Sequence, residues 1–206
     1  MVARLAARHP GLRMPATGQV FPRVLRAILE QKVTGTEAYR AYAATVRHFG
    51  EPAPGPMQPL LLPPDPAAVG RPRRTGCSTR FGVEQKRADN VAPGPPPRPV
   101  GLERCVDAAE ATRRLTAVPG IGPWTAAEVV RIAYGDPDAV SVGDYHVPNT
   151  VAWALAGEPR GDDARMLALL EPFRGHRGRV CLLLAAEGVQ APRYGPRMPI
   201  RSFARY

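Results

Sequence analysis

Leu115-Thr116-Ala117-Val118-Pro119-Gly120-Ile121-Gly122-Pro123-Trp124-Thr125-Ala126-Ala127-Glu128 joins two helical patterns through a Pro-Gly-Ile-Gly turn. Twenty positions beyond Trp124 an acid, Asp144, follows the apolar run Ala139-Val140-Ser141-Val142. The turn is too short and too rich in glycine for a generic linker. Its glycines leave backbone N–H groups free for a close, negatively charged guest. Pro123 stands where the first helical turn tolerates proline, and Thr125 can offer its hydroxyl just inside the new helix. The N–H groups of Gly120, Gly122 and Thr125 are thereby expected to converge, with the positive end of the helix dipole, on one anion. Such a grip reads no base, and a DNA backbone phosphate is its natural ligand.

Working outward, 206 residues suffice for one domain or two small lobes with a real core. The formal net charge is +10, with arginine far outnumbering lysine, which suits a nucleic acid or an anionic surface without selecting between them. Cys77, Cys105 and Cys181 lack paired spacing, and the four histidines (His9, His48, His146, His176) form no ligand pair at helical spacing. No zinc site, iron–sulfur cluster or catalytic transition metal is expected, and the cysteines read as reduced thiols. With no apolar run near the ~18 residues of a membrane span, the chain is expected to be soluble and cytoplasmic.

Helical periodicity predicts helices over Phe21 to Lys32 and Thr36 to Phe49, joined near Val33-Thr34-Gly35. Prolines between Gly50 and Pro66 predict a surface loop linking two lobes. Phe81 to Ala88 reads as a loop entering a helix that the proline-rich run Val91 to Pro99 cuts short, an extended or disordered segment. Helices are predicted again over Asp107 to Thr116, Pro123 to Tyr134, Val147 to Ala156, Asp163 to Leu170 and Arg177 to Glu187. Nothing reads as strand. The division expected is an extension over 1–20, a helical domain over 21–187 with a diverged insertion or linker over 70–100, and a basic tail over 188–206 that carries Arg197 and Arg201.

On these residues the chain resembles the helix-hairpin-helix DNA glycosylases, most closely the 3-methyladenine DNA glycosylase II branch. The likeness rests on Val118 to Ala126, on Gly143-Asp144-Tyr145 at the matching distance, on Ala27 to Thr34 and on Phe173-Arg174-Gly175-His176-Arg177. It implies an all-α, two-lobed fold with a lesion pocket between the lobes. It also implies that Asp144 matches the family's catalytic aspartate and that the chain acts, as a monomer associated with the nucleoid, on double-stranded DNA carrying alkylated bases. A carboxylate suits that chemistry: the departing base leaves oxocarbenium-like charge on the sugar, which a desolvated anion stabilises.

Members of the superfamily that also cut the strand carry a lysine where this chain has Trp124. The resemblance therefore implies a monofunctional enzyme that leaves an abasic site. Trp124 and Tyr145 are the expected base pocket, through stacking and cation–π attraction to alkylated purines, with Trp153 and Tyr42 behind them. Gln31 and Lys32 match the loop that enters the gap left by the flipped base. DNA contacts are expected from Gly120, Ile121, Gly122, Thr125, Gln31, Lys32, Arg174 and Arg177. No cofactor is implied beyond a monovalent cation that hairpin carbonyls could hold.

Two departures stand out. No room precedes Phe21 for the extra N-terminal β-domain of larger members, so a compact form is expected. Arg71-Pro72-Arg73-Arg74-Thr75-Gly76-Cys77 and the proline-rich run replace the family's loop and bridging helix. The rival readings are a non-catalytic helix-hairpin-helix DNA-binding module, in which Asp144 only caps a helix, and a basic helical protein that binds RNA or another protein.

Overall fold

The computed structural model describes residues 1–56, 60–69 and 101–193. The segments read from sequence as a diverged insertion (70–100, with Cys77) and most of the basic tail (194–206, with Arg197 and Arg201) lie outside the described residues.

The chain runs α1 (Val2–Arg8), α2 (Val20–Leu29), α3 (Gly35–Phe49), a single turn α4 (Pro66–Val69), a 3-10 turn Leu102–Arg104, α5 (Ala108–Thr116), α6 (Pro123–Ala133), α7 (Val147–Ala156), α8 (Asp163–Leu170), a 3-10 turn Glu171–Phe173 and α9 (Arg177–Ala186). Among the described residues β structure is confined to one isolated bridge, Pro52 with Leu61. The fold is all-α.

Local chemistry sets the helix ends. Thr34 and Glu37 form a reciprocal capping box on α3, and Asp107 and Asp162 accept the N–H of Glu110 and Arg165 to cap α5 and α8. Gly157, at φ 72°, closes α7 in the left-handed conformation that glycine adopts without steric cost. The first helix departs from expectation. It stops at Leu29 instead of running to Lys32, because Lys32 takes φ 52°, a left-handed backbone that cannot continue a right-handed helix.

Two main cores result. The first joins α2, α5 and α6 through Val24, Ile28, Leu115, Ile121, Val129 and Val130, with Leu25, Leu29 and Ala41 seating α3 on the other side of α2. The second joins α7, α8 and α9 through Val151, Met166, Leu170, Val180 and Leu184, and it recruits Leu5 from α1. The sequence predicted no helix before Phe21, yet Leu5 is only 2% exposed. The segment from Ala139 to Val147 crosses from one core to the other, since Ala139 packs on the first and Val140, Val142 and Val147 on the second. Asp144 therefore sits at the junction of the two cores. Gly178 lets α9 press on the start of this crossing. A Cβ there would run into the Ala139 carbonyl and stand 3.1 Å from the Pro137 carbonyl, which instead accepts the Arg179 N–H at 2.8 Å.

Candidate active site

The hairpin between α5 and α6 is tight. Ile121 N–H bonds Val118 O at 3.0 Å, Gly120 takes φ 85°, and Gly122 is the N-cap residue of α6 with Pro123 at its start. Among the described residues no side chain caps this helix. The first-turn N–H groups and the positive end of the dipole are thus left to a ligand. Ile121 is 5% exposed and anchors the turn in the first core, so of the expected contacts it can offer a ligand only backbone.

Thr125 and Gln31 are placed differently from expectation. Thr125 is 2% exposed, and its hydroxyl accepts the Gln31 amide at 2.8 Å. The same Gln31 nitrogen donates to Gly120 O at 3.1 Å. Gln31 therefore ties the loop after α2 to the hairpin instead of reaching into DNA, and Thr125 has only its N–H to offer. The reason is geometric: once α2 ends at Leu29, the loop folds back over the turn. Lys32, at its tip, is exposed.

Asp144 is held from three directions. Its Oδ1 accepts the N–H groups of His146 at 2.7 Å and Val147 at 2.9 Å, which seats the carboxylate at the start of α7. Its Oδ2 accepts the Trp124 indole N–H at 3.0 Å. Its own N–H bonds Ser141 O at 3.2 Å. Sequence spacing paired Trp124 with Asp144 across twenty residues, and the structure brings them into contact. Three donors on one half-buried carboxylate fix its direction.

Behind Asp144 lies a network of charges that the sequence did not reveal. Ser141 Oγ donates to Glu128 Oε1 at 2.6 Å, while Glu128 pairs with Arg131 at 2.7 Å and with the buried Arg23 of α2. Arg23 also bonds the Glu128 carbonyl at 2.8 Å and Glu30 at 3.2 Å. Burial alone would raise the Glu128 pKa. The charges of Arg131 and Arg23 and the Ser141 hydroxyl outweigh it and hold the group below the ordinary carboxylate range. The signal available was helical spacing, which puts Trp124 and Glu128 on one face of α6. On the opposite side of the crossing, both oxygens of Asp163 accept the Gly143 N–H at 3.0 Å.

Of the aromatic rings expected at the pocket, Trp124 alone stands at the carboxylate. Tyr145 is 83% exposed, its ring edge-on to His146 at 4.9 Å, because the turn into α7 aims it at solvent. Trp153 is 39% exposed on α7, and Tyr42 lies under the Arg26 guanidinium on α3. A groove of about 290 Å³ runs between α5 and α6, lined by Thr112, Pro123, Ala127 and Val130, and it includes neither Trp124 nor Asp144.

The basic cluster before α9 is also largely engaged. Arg177 pairs with Asp138 through Nε at 2.9 Å and again through its terminal nitrogen, and Arg174 pairs with Glu171. Asp138 additionally accepts the N–H groups of Gly175 at 2.8 Å and Arg177 at 3.0 Å. Arg177 is therefore a structural tie instead of the expected DNA contact, whereas Arg174, 71% exposed, can leave its partner. Of the described thiols, Cys105 and Cys181 are free, and burial pushes Cys181 up to about 11. No helix among the described residues is long and apolar enough to cross a membrane.

No protein-family model matches the chain. A probable bifunctional transcriptional activator/DNA repair enzyme AlkA of Mycobacterium tuberculosis is 26% identical over 149 residues, covering 68% of this chain and 28% of that protein. DNA-3-methyladenine glycosylase 2 of Escherichia coli is 30% identical over 129 residues, covering 61% and 45%. The chain thus spans less than half the length of the curated relatives it matches. Among solved structures, a 3-methyladenine DNA-glycosylase from Archaeoglobus fulgidus superposes with a TM-score of 0.69 at 21% identity, over 90% of this chain and 65% of that one. MBOgg1, solved in complex with a low-affinity DNA ligand, gives 0.64 at 15% identity over 89% and 64%. The chain shares the all-α fold of these helix-hairpin-helix DNA glycosylase structures, with a glycine–proline hairpin on one core and an aspartate at the junction of the two. In sequence, its likeness is to AlkA and DNA-3-methyladenine glycosylase 2.

Proposed function

We propose that the chain is a monofunctional base-excision glycosylase that grips duplex DNA with the α6 hairpin, receives a flipped-out alkylated purine beside Trp124 and hydrolyses its N-glycosidic bond. The observation that carries this reading is the Asp144 carboxylate, held between the α7 N-terminus and the Trp124 indole at the meeting of the two cores. The C1′–N bond breaks with its electron pair leaving on the base, and the sugar acquires positive charge that the fixed anion stabilises. Water then adds to C1′ and releases a proton, leaving an abasic site. A strand-cutting step needs an amine to form a Schiff base. The chain has only Lys32 and Lys86, and an indole stands at the position after the hairpin where a lysine would serve.

Backbone phosphates meet the uncapped N–H groups of Gly122 and the turn after it, and Arg174 and Lys32 add diffuse attraction. The protein works as a single copy in the cytoplasm, on the nucleoid. A monovalent cation at the hairpin would have to share carbonyls already in use, since Val118, Gly120 and Gly122 accept from Ile121 N, Gln31 Nε2 and Ala126 N.

The test is base release from methylated duplex DNA by the wild type and Asp144→Asn, with strand breaks scored before and after alkali. The expected outcome is release that falls at least about 100-fold in the variant, with breaks only after alkali. Lesion-independent binding with no release would instead mark a non-catalytic DNA-binding module.

A further inference from the structure

We infer that Asp163 is a positioning residue for the Asp144 carboxylate; this rests on the reading above that Asp144 acts at the sugar. The segment Ser141-Val142-Gly143-Asp144 is strung between the two cores and tethered to each by an acid. On the first core, Glu128 of α6 holds the Ser141 hydroxyl at 2.6 Å. On the second, Asp163, the first residue of α8, takes the Gly143 N–H with both carboxylate oxygens at 3.0 Å. Met166 and Leu170 of α8 are fully buried, so Asp163 projects from a rigid base.

Gly143 is the residue through which this tether acts. Its φ of 90° lies where side chains are strained, and a Cβ there would stand 4.0 Å from the Trp124 Cβ. Its peptide therefore runs along the root of the indole whose N–H meets Asp144 Oδ2. Asp163 fixes the Val142–Gly143 peptide, one residue before Asp144, and through Gly143 the separation between carboxylate and indole. Nothing places Asp163 itself on the sugar or the base. Glu128 is the poorer member to test, because removing it would strand the buried Arg23. Asp163 is half-buried at a helix start, where an acid adds only a modest dipole contribution.

The experiment compares the wild type with Asp163→Ala, Asp163→Asn and Asp163→Glu. Single-turnover base release and duplex affinity are measured together with the nuclear magnetic resonance of the Trp124 indole N–H and its exchange with solvent. The chain has two tryptophans, so that signal is readily assigned. Asp163→Ala is expected to slow release about 10- to 100-fold with unchanged duplex affinity, and to shift the Trp124 indole signal and speed its exchange. Asp163→Asn, which keeps an acceptor for Gly143, is expected to restore both. Asp163→Glu, which keeps the charge but moves the acceptor by one methylene, is expected to fall between, and it decides the matter if the alanine variant does not fold.

A wild-type rate and indole signal in Asp163→Ala overturn the inference, as does a loss of rate that merely follows a loss of affinity. If the wild type releases no base, the glycosylase reading fails by itself, and the indole signal still decides whether Asp163 places the carboxylate.

Discussion

The starts of α6 and α9 look alike in outline and behave as opposites. Each follows a glycine in the left-handed conformation, Gly120 at φ 85° and Gly175 at φ 89°. Each presents unpaired first-turn N–H groups and a positive dipole end, the elements of an anion site. At α6 no side chain among the described residues fills that site. At α9 the Asp138 carboxylate occupies it, taking the N–H groups of Gly175 and Arg177 and the Arg177 guanidinium besides. The end flanked by arginines is the closed one, and the end opened by an uncapped glycine is the open one. Side-chain charge near a helix start is thus a poorer guide to a phosphate grip than the presence or absence of an internal acid. The acid that closes α9 lies 39 residues before Arg177 in the chain.

Opening the closed end gives the largest effect. Asp138→Ala is expected to destabilise the protein by about 2 kcal/mol, because it removes several charge-assisted bonds at once; thermal or urea unfolding measures it. Hydrogen bonding from Arg177, against a smaller burial effect, holds Asp138 below the ordinary carboxylate range. Its stabilising contribution is therefore present at neutral pH and lost as pH falls through the depressed folded value. Wild type and variant should accordingly converge in acid. A difference that persists unchanged at low pH would show that the carboxylate's charge is not what closes the end.

Obstructing the open end comes next. Among the described residues nothing lies within 4 Å of a Cβ built on Gly122, whose backbone is extended. Gly122→Ala is therefore expected to fold normally and to put a methyl group where the phosphate sits. Duplex affinity should fall about 3- to 10-fold, roughly 1 kcal/mol, in a titration at fixed salt. Unchanged affinity would dissolve the contrast between the two ends. The smallest effect is reserved for the exposed guanidinium beside α9. Arg174→Ala should weaken duplex binding less than about twofold and flatten its salt dependence slightly.

Much of this fold was legible because its helices carry their own boundaries. Val147–Ala156 and Asp163–Leu170 stand at the residues the sequence predicts, one closed by Gly157 and the other opened by Asp162. The hairpin and its spacing to Asp144 were equally plain, since Gly120 takes a left-handed backbone and Pro123 opens α6. What stayed hidden depends on partners distant in the chain. Gln31 meets the hairpin across 89 residues, and Arg23 meets Glu128 across 105. Neither has a local pattern to betray it. Val2–Arg8 escaped because seven residues burying one leucine hold too little periodicity to register. The exposure of Tyr145 was not legible because adjacency to Asp144 in sequence says nothing of which way a turn aims a ring.

Gly178 makes α9 and the crossing segment a single mechanical body. With no side chain between them, the helix backbone lies directly on the carbonyls of Pro137 and Ala139, and the Arg179 amide is bonded across the seam. The amides of α9 and of the segment leading to Asp144 are therefore expected to exchange with solvent together, the loop that carries the carboxylate sharing the protection of a core helix.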